Sequence, residues 1–458
     1  MDLNGKRVLV VGLGRSGIAA AQLCAARGAR VTVTDKRDAV ALAPALAALP
    51  AEVTREVGGH RQGTFTSAEL IVLSPGVPEI PELVAARRAG VATTGEMELA
   101  SRFISSTLIA ITGTNGKSTT TTLAGDMMRA TGRPTFVGGN LGEPLTEAVW
   151  TKAGDARGIC VVEASSFQLE TVETFRPRVA ILLNVTADHL DRYPDMDAYA
   201  AAKARIFSAQ TGEDFAVVNV DDPLAMRASQ GVASRRIGFS VVRPLPEGGY
   251  VSDSTLVIKL PDQALEKYST NTLPWLVGQR HNQANALAAL LASRLAGATH
   301  AEARAGLLAF KPLAHRMELV ADAGGVAYYD DSKGTNVSAV VAALDGFTRR
   351  VVLIAGGRDK GGEYDPLADV LARVGRAAVL IGEAADKMQA AFAGKVPTAR
   401  AATMDEAVET ARRLAQPGDA VVLSPACSSF DMFRDYAHRA EVFRAAVARV
   451  VGGTGSAP

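Results

Sequence analysis

Cysteine is scarce in this chain, which has only three cysteines among its 458 residues, at positions 24, 160 and 427. Because these positions are far apart, they have neither the paired spacing of a zinc site nor that of a disulfide framework. We therefore expect a reducing compartment. The first apolar segment is not preceded by a signal-peptide pattern, so the compartment that we expect is the cytoplasm.

Long hydrophobic runs and an excess of charge are also missing. No apolar segment approaches the roughly 18 residues that are needed to span a bilayer, so we expect no membrane segment. The net charge of +1 gives no overall attraction to nucleic acid or anionic lipid. With 48% hydrophobic and 21% charged residues, the composition is that of an ordinary globular protein.

The chain is long enough for about three domains of roughly 150 residues each. Short apolar runs alternate with alanine-rich helical segments, and this alternation predicts an α/β fold with parallel sheets. We place a Rossmann-like domain at residues 1–94, a P-loop ATPase-like central domain at 95–311 and another Rossmann-like domain at 312–458. The pattern from Ile237 to Val277 predicts a small antiparallel ribbon, and "GEMELASRF" predicts a short amphipathic connecting helix.

The first glycine loop, in "RVLVVGLGRSG", has the pattern G-x-G-x-x-G at Gly12, Gly14 and Gly17, between a predicted strand and a predicted helix. Asp35 ends the next strand, where an acid can hold a ribose hydroxyl. Any diphosphate can bind at a helix N-terminus, and glycines also permit close packing. The pattern alone therefore leaves open a dinucleotide site, a sugar-nucleotide site and a structural turn.

The second glycine loop, in "LIAITGTNGKSTT", is more specific. Gly113 and Gly116 allow backbone N–H groups to face phosphate oxygens, Lys117 supplies a charge near the β and γ phosphates, and Ser118 can place its hydroxyl on magnesium. Ile111 stands where the longer G-x-x-x-x-G-K-[ST] pattern has its first glycine, so the loop is a shortened variant. A purely structural turn explains neither the lysine nor the serine.

Several charged side chains follow predicted strands, where the ligands of open parallel sheets collect. They are Glu163, Asp188, His189, Asp191, Lys333 and Lys360, and Lys203 lies on the predicted helix that follows Asp191. Magnesium prefers oxygen ligands, so Glu163 is the natural metal partner and His189 a less expected one. A single histidine is more often a hydrogen-bonded structural residue, and lysines on loops are usually solvated.

The order of the motifs "GTNGKST", "EASSFQLE", "NVTADHLDRY", "AAKARIF", "DDSKGTN", "GGRDKGG" and "LSPACSSFDMFRDYAHRAEVF" resembles that of the Mur ligases of bacterial cell-wall synthesis. The resemblance runs from about Lys6 to Phe443. It implies an ATP-dependent ligase of peptidoglycan precursor synthesis that joins UDP-N-acetylmuramoyl-L-alanine to D-glutamate through an acyl phosphate. It also implies two magnesium ions and a carbamylated Lys203, and we expect a monomer.

The resemblance also implies roles for individual residues. The ATP-site residues are Gly113, Thr114, Asn115, Gly116, Lys117, Ser118, Thr119, Asn282, Asn285, Arg316 and Asp331. The residues around the UDP substrate are Gly14, Arg15, Ser16, Asp35, Arg37, Ser74, Gly76 and Asn140. The D-glutamate residues are Lys333, Thr335, Lys360, Ser429 and Phe430. The implied magnesium ligands are Ser118, Glu163, His189 and Lys203, and the implied catalytic residues are Lys117, His189 and Lys203.

Two positions depart from the family pattern, which often has leucine where Phe430 stands and phenylalanine where Tyr436 stands. The nearest rival interpretation is a folylpolyglutamate synthetase-like ligase, which lacks an N-terminal uridine-nucleotide domain. An NAD-dependent dehydrogenase would leave "GTNGKS" unexplained, and a nucleotide-binding regulator without catalysis is a third alternative.

Overall fold

The computed structural model describes residues 1–190, 192–261, 263–277 and 279–452, and it contains three β-sheets. The chain divides into two compact units. The first unit comprises residues 1–184, 200–268 and 284–310, and the second comprises residues 185–199, 269–283 and the part from residue 311 onward. No helix among the described residues is long and apolar enough to cross a membrane.

The first sheet has five parallel strands in the order β3-β2-β1-β4-β5. Its strands are β1 (Arg7–Val11), β2 (Arg30–Asp35), β3 (Thr54–Val57), β4 (Leu70–Leu73) and β5 (Ala92–Gly95). The helices of this region are α1 (Arg15–Ala26), α2 (Ala43–Ala47), α3 (Gln62–Ser67), α4 (Pro81–Arg88) and α5 (Glu96–Ser101). This is the predicted Rossmann-like arrangement.

Strand β1 shows why an unbroken apolar run becomes a central parallel strand. Alternate side chains point to opposite faces, so Val8 and Val10 belong to one hydrophobic core while Leu9 and Val11 belong to another. Because helices cover both faces, the strand has no polar side to show to water. The glycine loop comes directly after β1, so it lies at the carboxyl edge of the sheet. Ligands of open parallel sheets bind at this edge.

Helix α5 differs from the amphipathic helix that the sequence predicts. Five consecutive residues from Glu96 to Ala100 are buried, including two glutamates. Glu98 is accommodated because its carboxylate accepts hydrogen bonds from the backbone N–H groups of Glu173, Thr174 and Phe175. The sequence pattern predicts an amphipathic helix because sequence alone does not show that distant backbone donors surround it.

The second sheet has nine strands in the order β14-β13-β12-β11-β10-β9-β6-β8-β7. These are β6 (Thr107–Thr112), β7 (Thr135–Gly139), β8 (Ile159–Glu163), β9 (Val179–Leu182), β10 (Phe215–Asn219), β11 (Arg235–Ser240), β12 (Gly248–Ser252), β13 (Thr255–Lys259) and β14 (Glu266–Ser269). Strands β12 and β13 are antiparallel, as predicted for the ribbon, but β12 also pairs with β11 in parallel. The ribbon thus extends the central sheet.

The helices of this region include the long alanine-rich α10. The helices are α6 (Lys117–Arg129), α7 (Ser166–Leu169), α8 (Met196–Ala204), α9 (Pro223–Ala228), α10 (Arg280–Leu295) and α11 (His300–Ala309). Three short 3₁₀ helices lie at Leu145–Trp150, Lys152–Gly154 and Arg205–Phe207.

The third sheet belongs to the second unit and has six strands in the order β15-β16-β20-β17-β18-β19. They are β15 (Glu318–Ala323), β16 (Val326–Asp330), β17 (Val351–Gly356), β18 (Gly375–Ile381), β19 (Thr398–Arg400) and β20 (Ala420–Leu423). Only the β15–β16 pair is antiparallel among the pairs described. The helices are α12 (Val337–Asp345), α13 (Asp365–Val374), α14 (Ala385–Phe392), α15 (Met404–Leu414) and α16 (Tyr436–Gly452).

Candidate active site

The first glycine loop connects β1 to α1 in the first unit. Gly12 has φ +89°, a conformation that favours glycine. A Cβ atom on Gly17 would lie 1.9 Å from the carbonyl oxygen of Gly12, so this glycine permits the close packing of helix and loop. Gly14 begins the helix as its N-cap, and the space beside its Cα is open, which leaves room for a diphosphate.

Asp35 stabilises this loop through hydrogen bonds to its carboxylate. Its Oδ2 accepts hydrogen bonds from the backbone N–H of Leu13 at 2.8 Å and from Arg37 Nη2 at 2.7 Å. Its Oδ1 accepts from the backbone N–H of Arg37 at 2.9 Å and from Arg37 Nε at 3.0 Å. Burial favours the neutral acid, but these hydrogen bonds outweigh it and lower the pKa of Asp35 to about 2.

Because each carboxylate oxygen of Asp35 already accepts two hydrogen bonds, a ribose hydroxyl would have to compete for it. The ion pair leaves the Arg37 side chain about half exposed beside the loop. Ser74 also supports the loop, since its hydroxyl donates to the Gly12 carbonyl at 2.7 Å. Three predicted residues, Arg15, Ser16 and Gly76, are exposed or half-buried.

The second glycine loop connects β6 to α6. Gly116 is the N-cap of α6 and has φ +85°. A Cβ atom on Gly116 would lie 2.1 Å from Asn285 Oδ1, so both the conformation and the space require glycine. The helix begins at Lys117, and its first turn carries Ser118 and Thr119, both buried. The N-terminus of α6 thus points at the loop that the sequence predicts to hold phosphate.

Asn184 fixes the shape of this loop, and it is not among the residues that the sequence predicts for the site. Its side-chain oxygen accepts hydrogen bonds from the backbone N–H groups of Thr114 at 3.1 Å and Asn115 at 2.8 Å. Its side-chain amide donates to the Asn115 carbonyl at 3.0 Å. Asn184 follows β9, the neighbour of β6 in the sheet, so its position just past a strand end was the available signal.

Two lysines donate to the same part of the loop. Lys117 Nζ donates to the carbonyl oxygens of Gly113 at 3.0 Å and Thr114 at 2.8 Å. Lys203 is only 1% exposed, and its Nζ donates to the Gly113 carbonyl at 2.8 Å. The structure therefore brings the ammonium groups of Lys117 and Lys203 to the same carbonyl of the loop between β6 and α6.

Glu163, at the end of β8, has a carboxylate of which only one oxygen is hydrogen-bonded. Oε1 accepts from the side-chain amide of Asn140 at 2.6 Å, whereas the buried Oε2 has no hydrogen-bond partner among the described residues. An unpaired carboxylate oxygen in the interior is costly unless a cation or donor completes it. The Oε2 atom of Glu163 is an oxygen ligand of the kind that a hard divalent cation such as magnesium prefers.

In the second unit, Asp188 and His189 lie together on the segment that follows β9. Asp188 accepts hydrogen bonds from Lys360 Nζ at 3.3 Å and from the side-chain amide of Asn336 at 3.2 Å. Burial alone would raise the pKa of Asp188, but Lys360 and His189 together with the Asn336 hydrogen bond hold it below its ordinary value. His189 has φ +56°. Asp191 lies outside the described residues.

A cavity of about 490 Å³ in the second unit lies beside Asp188 and Lys360. Thr335 and Asn336 line it from one side, and Tyr364 lines it from another. The cavity thus brings together Thr335 and Lys360, two of the residues predicted to bind the amino acid. Lys333, Ser429 and Phe430 do not line it; Ser429 is buried, and Phe430 is 63% exposed.

Lys333 lies on the loop after β16, and its Nζ is 3.7 Å from the centroid of the Tyr436 ring.

Cys427 is 1% exposed, and burial raises the pKa of its thiol to about 11. This is consistent with a small packing residue and not with a reactive thiolate.

Asp331, the first residue after β16, is buried. Its carboxylate accepts hydrogen bonds from the Ser424 hydroxyl and from the backbone N–H of Met317 at 3.3 Å. Burial outweighs these bonds and the nearby Arg316 charge, and it raises the pKa of Asp331 to about 7. Asn282 is also in this unit, and its side-chain amide donates to the Trp275 carbonyl at 3.0 Å.

Three family models match the chain. The Mur ligase MurD-like, N-terminal domain matches residues 6–95, the Mur ligase middle domain matches 111–293, and the Mur ligase, glutamate ligase domain matches 315–427. The chain is also similar over its length to curated proteins named UDP-N-acetylmuramoylalanine--D-glutamate ligase. That of Geotalea daltonii is 48% identical over 455 residues, 99% of each chain, and that of Geobacter metallireducens is 49% identical over 460 residues, 100% of each chain.

Solved structures share the fold at much lower identity. A pseudomurein peptide ligase type C from Methanothermus fervidus has a TM-score of 0.62 and 17% identity, with 97% of this chain and 100% of that chain covered. A MurF ligase from Thermotoga maritima, solved in complex with ADP, has a TM-score of 0.60 and 16% identity, with 99% and 96% covered.

Proposed function

The chain belongs to the Mur ligase family, and we propose that it forms the amide bond between UDP-N-acetylmuramoyl-L-alanine and D-glutamate with the energy of ATP. The observation that carries this proposal is the near-complete alignment, at 48% and 49% identity, with ligases named for these two substrates. The structure supports it with two separate glycine loops in the first unit, one after β1 and one after β6.

The first loop suits the UDP part of the substrate. Gly14 leaves open space at the start of α1, and the Arg37 guanidinium, held by Asp35, offers further donors to phosphate or uracil oxygens. Asp35 itself is proposed to act through Arg37 and the loop. The remaining proposed contacts of this substrate are Arg15, Ser16, Ser74, Gly76 and Asn140.

The second loop suits the triphosphate of ATP. Its backbone N–H groups and Lys117 are proposed to bind the phosphates, while Asn184 keeps the loop in shape. Asn285 lies against Gly116, so we propose that it supports the loop as well as approaching the adenine. The other proposed ATP contacts are Gly113, Thr114, Asn115, Ser118, Thr119, Asn282, Arg316 and Asp331.

The residues present fit magnesium, because Glu163 Oε2 is a buried carboxylate oxygen without a described donor. Ser118 and Glu163 would hold the ion, joined by Lys203 once carbamylated, and the family resemblance gives His189 the same role. A bound magnesium ion would supply positive charge that neutralises the phosphate oxygens. The carbamate is proposed because a free lysine ammonium is a poor ligand and a carbamate is an anionic oxygen ligand.

The chemistry follows from the need to activate a carboxylate. An oxygen of the alanine carboxylate attacks the γ-phosphorus of ATP, ADP leaves, and the acyl phosphate forms. The amine of D-glutamate, after losing a proton, attacks the acyl carbon, and inorganic phosphate leaves. Lys117 is proposed to stabilise the transferring phosphoryl group, and no side chain has to form a covalent bond with substrate. His189 is also proposed as an acceptor for the amine proton, a role that metal binding at the same nitrogen would prevent.

The second unit is proposed to bind D-glutamate. Lys333 and Lys360 can pair with its carboxylates, and Thr335 and Ser429 can donate hydrogen bonds, with Phe430 beside them.

We propose domain boundaries at residues 94/95 and 311/312, which the matched family models at 6–95, 111–293 and 315–427 support. A cytoplasmic location is proposed because three free, buried cysteines suit a reducing compartment, and a monomer is proposed with it.

The test is phosphate release from ATP with UDP-N-acetylmuramoyl-L-alanine and D-glutamate, with each substrate omitted in turn. We expect release only in the complete mixture, together with one amide product, and little turnover when D-glutamine replaces D-glutamate. Turnover of a folate in place of the UDP substrate would instead favour the folylpolyglutamate synthetase-like alternative. The match of residues 6–95 to the MurD-like N-terminal domain argues against that alternative.

A further inference from the structure

Lys333 is held in an unusual way for a cation next to a proposed anion site. Its Nζ lies over the face of the Tyr436 ring, 3.7 Å from the centroid. No carboxylate forms an ion pair with Lys333 in the part of the chain that the structure describes. An aromatic face attracts an ammonium through its quadrupole and, unlike a carboxylate, leaves the positive charge uncompensated. The ring therefore orients the ammonium while its charge remains available to a substrate anion.

Helix α16, which begins at Tyr436, also fixes the backbone of the loop that carries Lys333. The fully buried Arg439 donates to the Ser332 carbonyl at 2.9 Å and to the Cys427 carbonyl at 3.2 Å. Further along the helix, Arg444 pairs with Asp330 at 3.3 Å. The backbone on the N-terminal side of Lys333 is thus anchored to the helix whose first residue lies beneath its side chain.

His315, on a third segment of the chain, contacts both Lys333 and Tyr436. The backbone N–H of Lys333 donates to the His315 carbonyl at 3.2 Å. The His315 ring packs edge-on against Tyr436, with the centroids 6.2 Å apart, and its Nδ1 is 2.8 Å from Asp330 Oδ2. Since both the backbone of Lys333 and the plane of the Tyr436 ring are constrained, the cation–π contact decides where the ammonium lies.

We propose that Tyr436 is a positioning residue, whose ring holds the Lys333 ammonium ready for a carboxylate of the incoming amino acid. The inference rests on the proposed function, because it takes the amino acid to be the anion that Lys333 meets. The ring is the feature that matters, so phenylalanine should serve in its place. The loss of the ring should weaken amino-acid binding and leave the binding of ATP and of the UDP substrate nearly unchanged.

The experiment compares the full-length wild type with Tyr436→Leu, Tyr436→Phe, Lys333→Ala and the double variant Lys333→Ala/Tyr436→Leu. Initial rates give KM for D-glutamate, ATP and the UDP substrate separately, and circular dichroism and Tm show that each variant is folded. We expect Tyr436→Leu to raise KM for D-glutamate by roughly 3- to 30-fold with a smaller change in kcat. Tyr436→Phe should keep KM near the wild-type value.

The double variant separates positioning from direct contact. If the ring acts through Lys333, Tyr436→Leu adds nothing to the KM effect of Lys333→Ala. An equal rise in KM with and without Lys333 would overturn the proposal, since the ring would then touch the substrate itself. An unchanged KM in folded Tyr436→Leu would also overturn it, as would equal loss in Tyr436→Phe. A wild type that does not use D-glutamate would instead count against the proposed function.

Discussion

Lys203 donates a hydrogen bond of 2.8 Å from its ammonium group to the backbone carbonyl of Gly113, which also accepts one of 3.0 Å from Lys117. Two lysines thus converge on one carbonyl of the phosphate loop, and one of them is almost completely buried. A buried ammonium and a buried carbamate at this position differ in the sign of their charge. The functional state of Lys203 therefore decides whether it anchors the loop or binds a metal ion.

Lys203→Ala is expected to lose at least about tenfold in kcat, because the proposed carbamate is an anionic metal ligand that alanine cannot supply. Short carboxylic acids such as acetate should restore part of the rate by placing an anion in the vacated space. Phosphate release with increasing acetate measures this, and Lys152→Ala, a change at an exposed lysine of the same unit, is the control. Loss of activity without any rescue would contradict the carbamate assignment.

Asn184→Ala is expected to raise KM for ATP roughly tenfold, because the backbone N–H groups of Thr114 and Asn115 lose their acceptor and the loop loses its shape. Asn219 is a matched control, since it ends the neighbouring strand β10 and its side chain accepts from the Asp221 N–H. Steady-state kinetics with varied ATP measure both variants. The same KM in Asn184→Ala and Asn219→Ala would exclude a specific role in the phosphate loop.

The N-terminal loop is expected to bind a UDP-sugar and not NAD. Arg37→Ala should weaken UDP-substrate binding by roughly tenfold, because it removes charged donors and frees the Asp35 carboxylate to repel phosphate. Isothermal calorimetry measures both ligands, with Arg30→Ala at the opposite end of β2 as the control. Micromolar binding of NAD with none of the UDP-sugar would refute the assignment.

Glu96 is expected to make the stability of the first unit depend on pH. The side chain is completely buried, and burial, only partly offset by the Thr146 N–H, raises the pKa of Glu96 from 4.5 to about 7. Because the folded pKa is the higher one, the stabilising contribution is complete below pH 4.5 and is lost as pH rises through about 7. The difference is on the order of 3 kcal/mol.

Urea unfolding at several pH values between 5 and 8 checks this. Glu96→Gln keeps the shape without the titrating proton, so it should remove much of the fall in stability above pH 5. Glu98→Gln is the contrasting variant: burial opposes its ionisation, but several hydrogen bonds lower the pKa of Glu98, so this change should destabilise the protein at neutral pH. Identical pH profiles for the wild type and Glu96→Gln would contradict the prediction.

The sequence predicts the three α/β sheets and both glycine loops because these depend on local patterns. An apolar run followed by glycines and a helical segment marks the carboxyl end of a parallel strand, and the loops at Gly14 and Gly116 are where this rule places them. Lys117 could be selected for the same reason, because its residue type and its place in the second loop indicate an anion site. The role of Arg37 is implied only by the family resemblance.

The remaining features depend on contacts between segments that are distant in the chain. Glu98 is buried because backbone groups 75 to 77 residues away donate to it. Asn184 reaches a loop about 70 residues away, and Tyr436 meets Lys333 across about a hundred residues. No local period encodes such pairs, so the sequence indicates the candidate lysine but not the ring that holds it.

The central claim is that ATP activates the alanine carboxylate as an acyl phosphate, which D-glutamate then attacks. The most direct measurement uses UDP-N-acetylmuramoyl-L-alanine with ¹⁸O in that carboxylate, followed by mass spectrometry of the phosphate released in the presence of D-glutamate. Each phosphate that leaves should carry one labelled oxygen, because the carboxylate oxygen that attacked the γ-phosphorus departs with it. Unlabelled phosphate, or labelled phosphate without an amide product, would contradict the account.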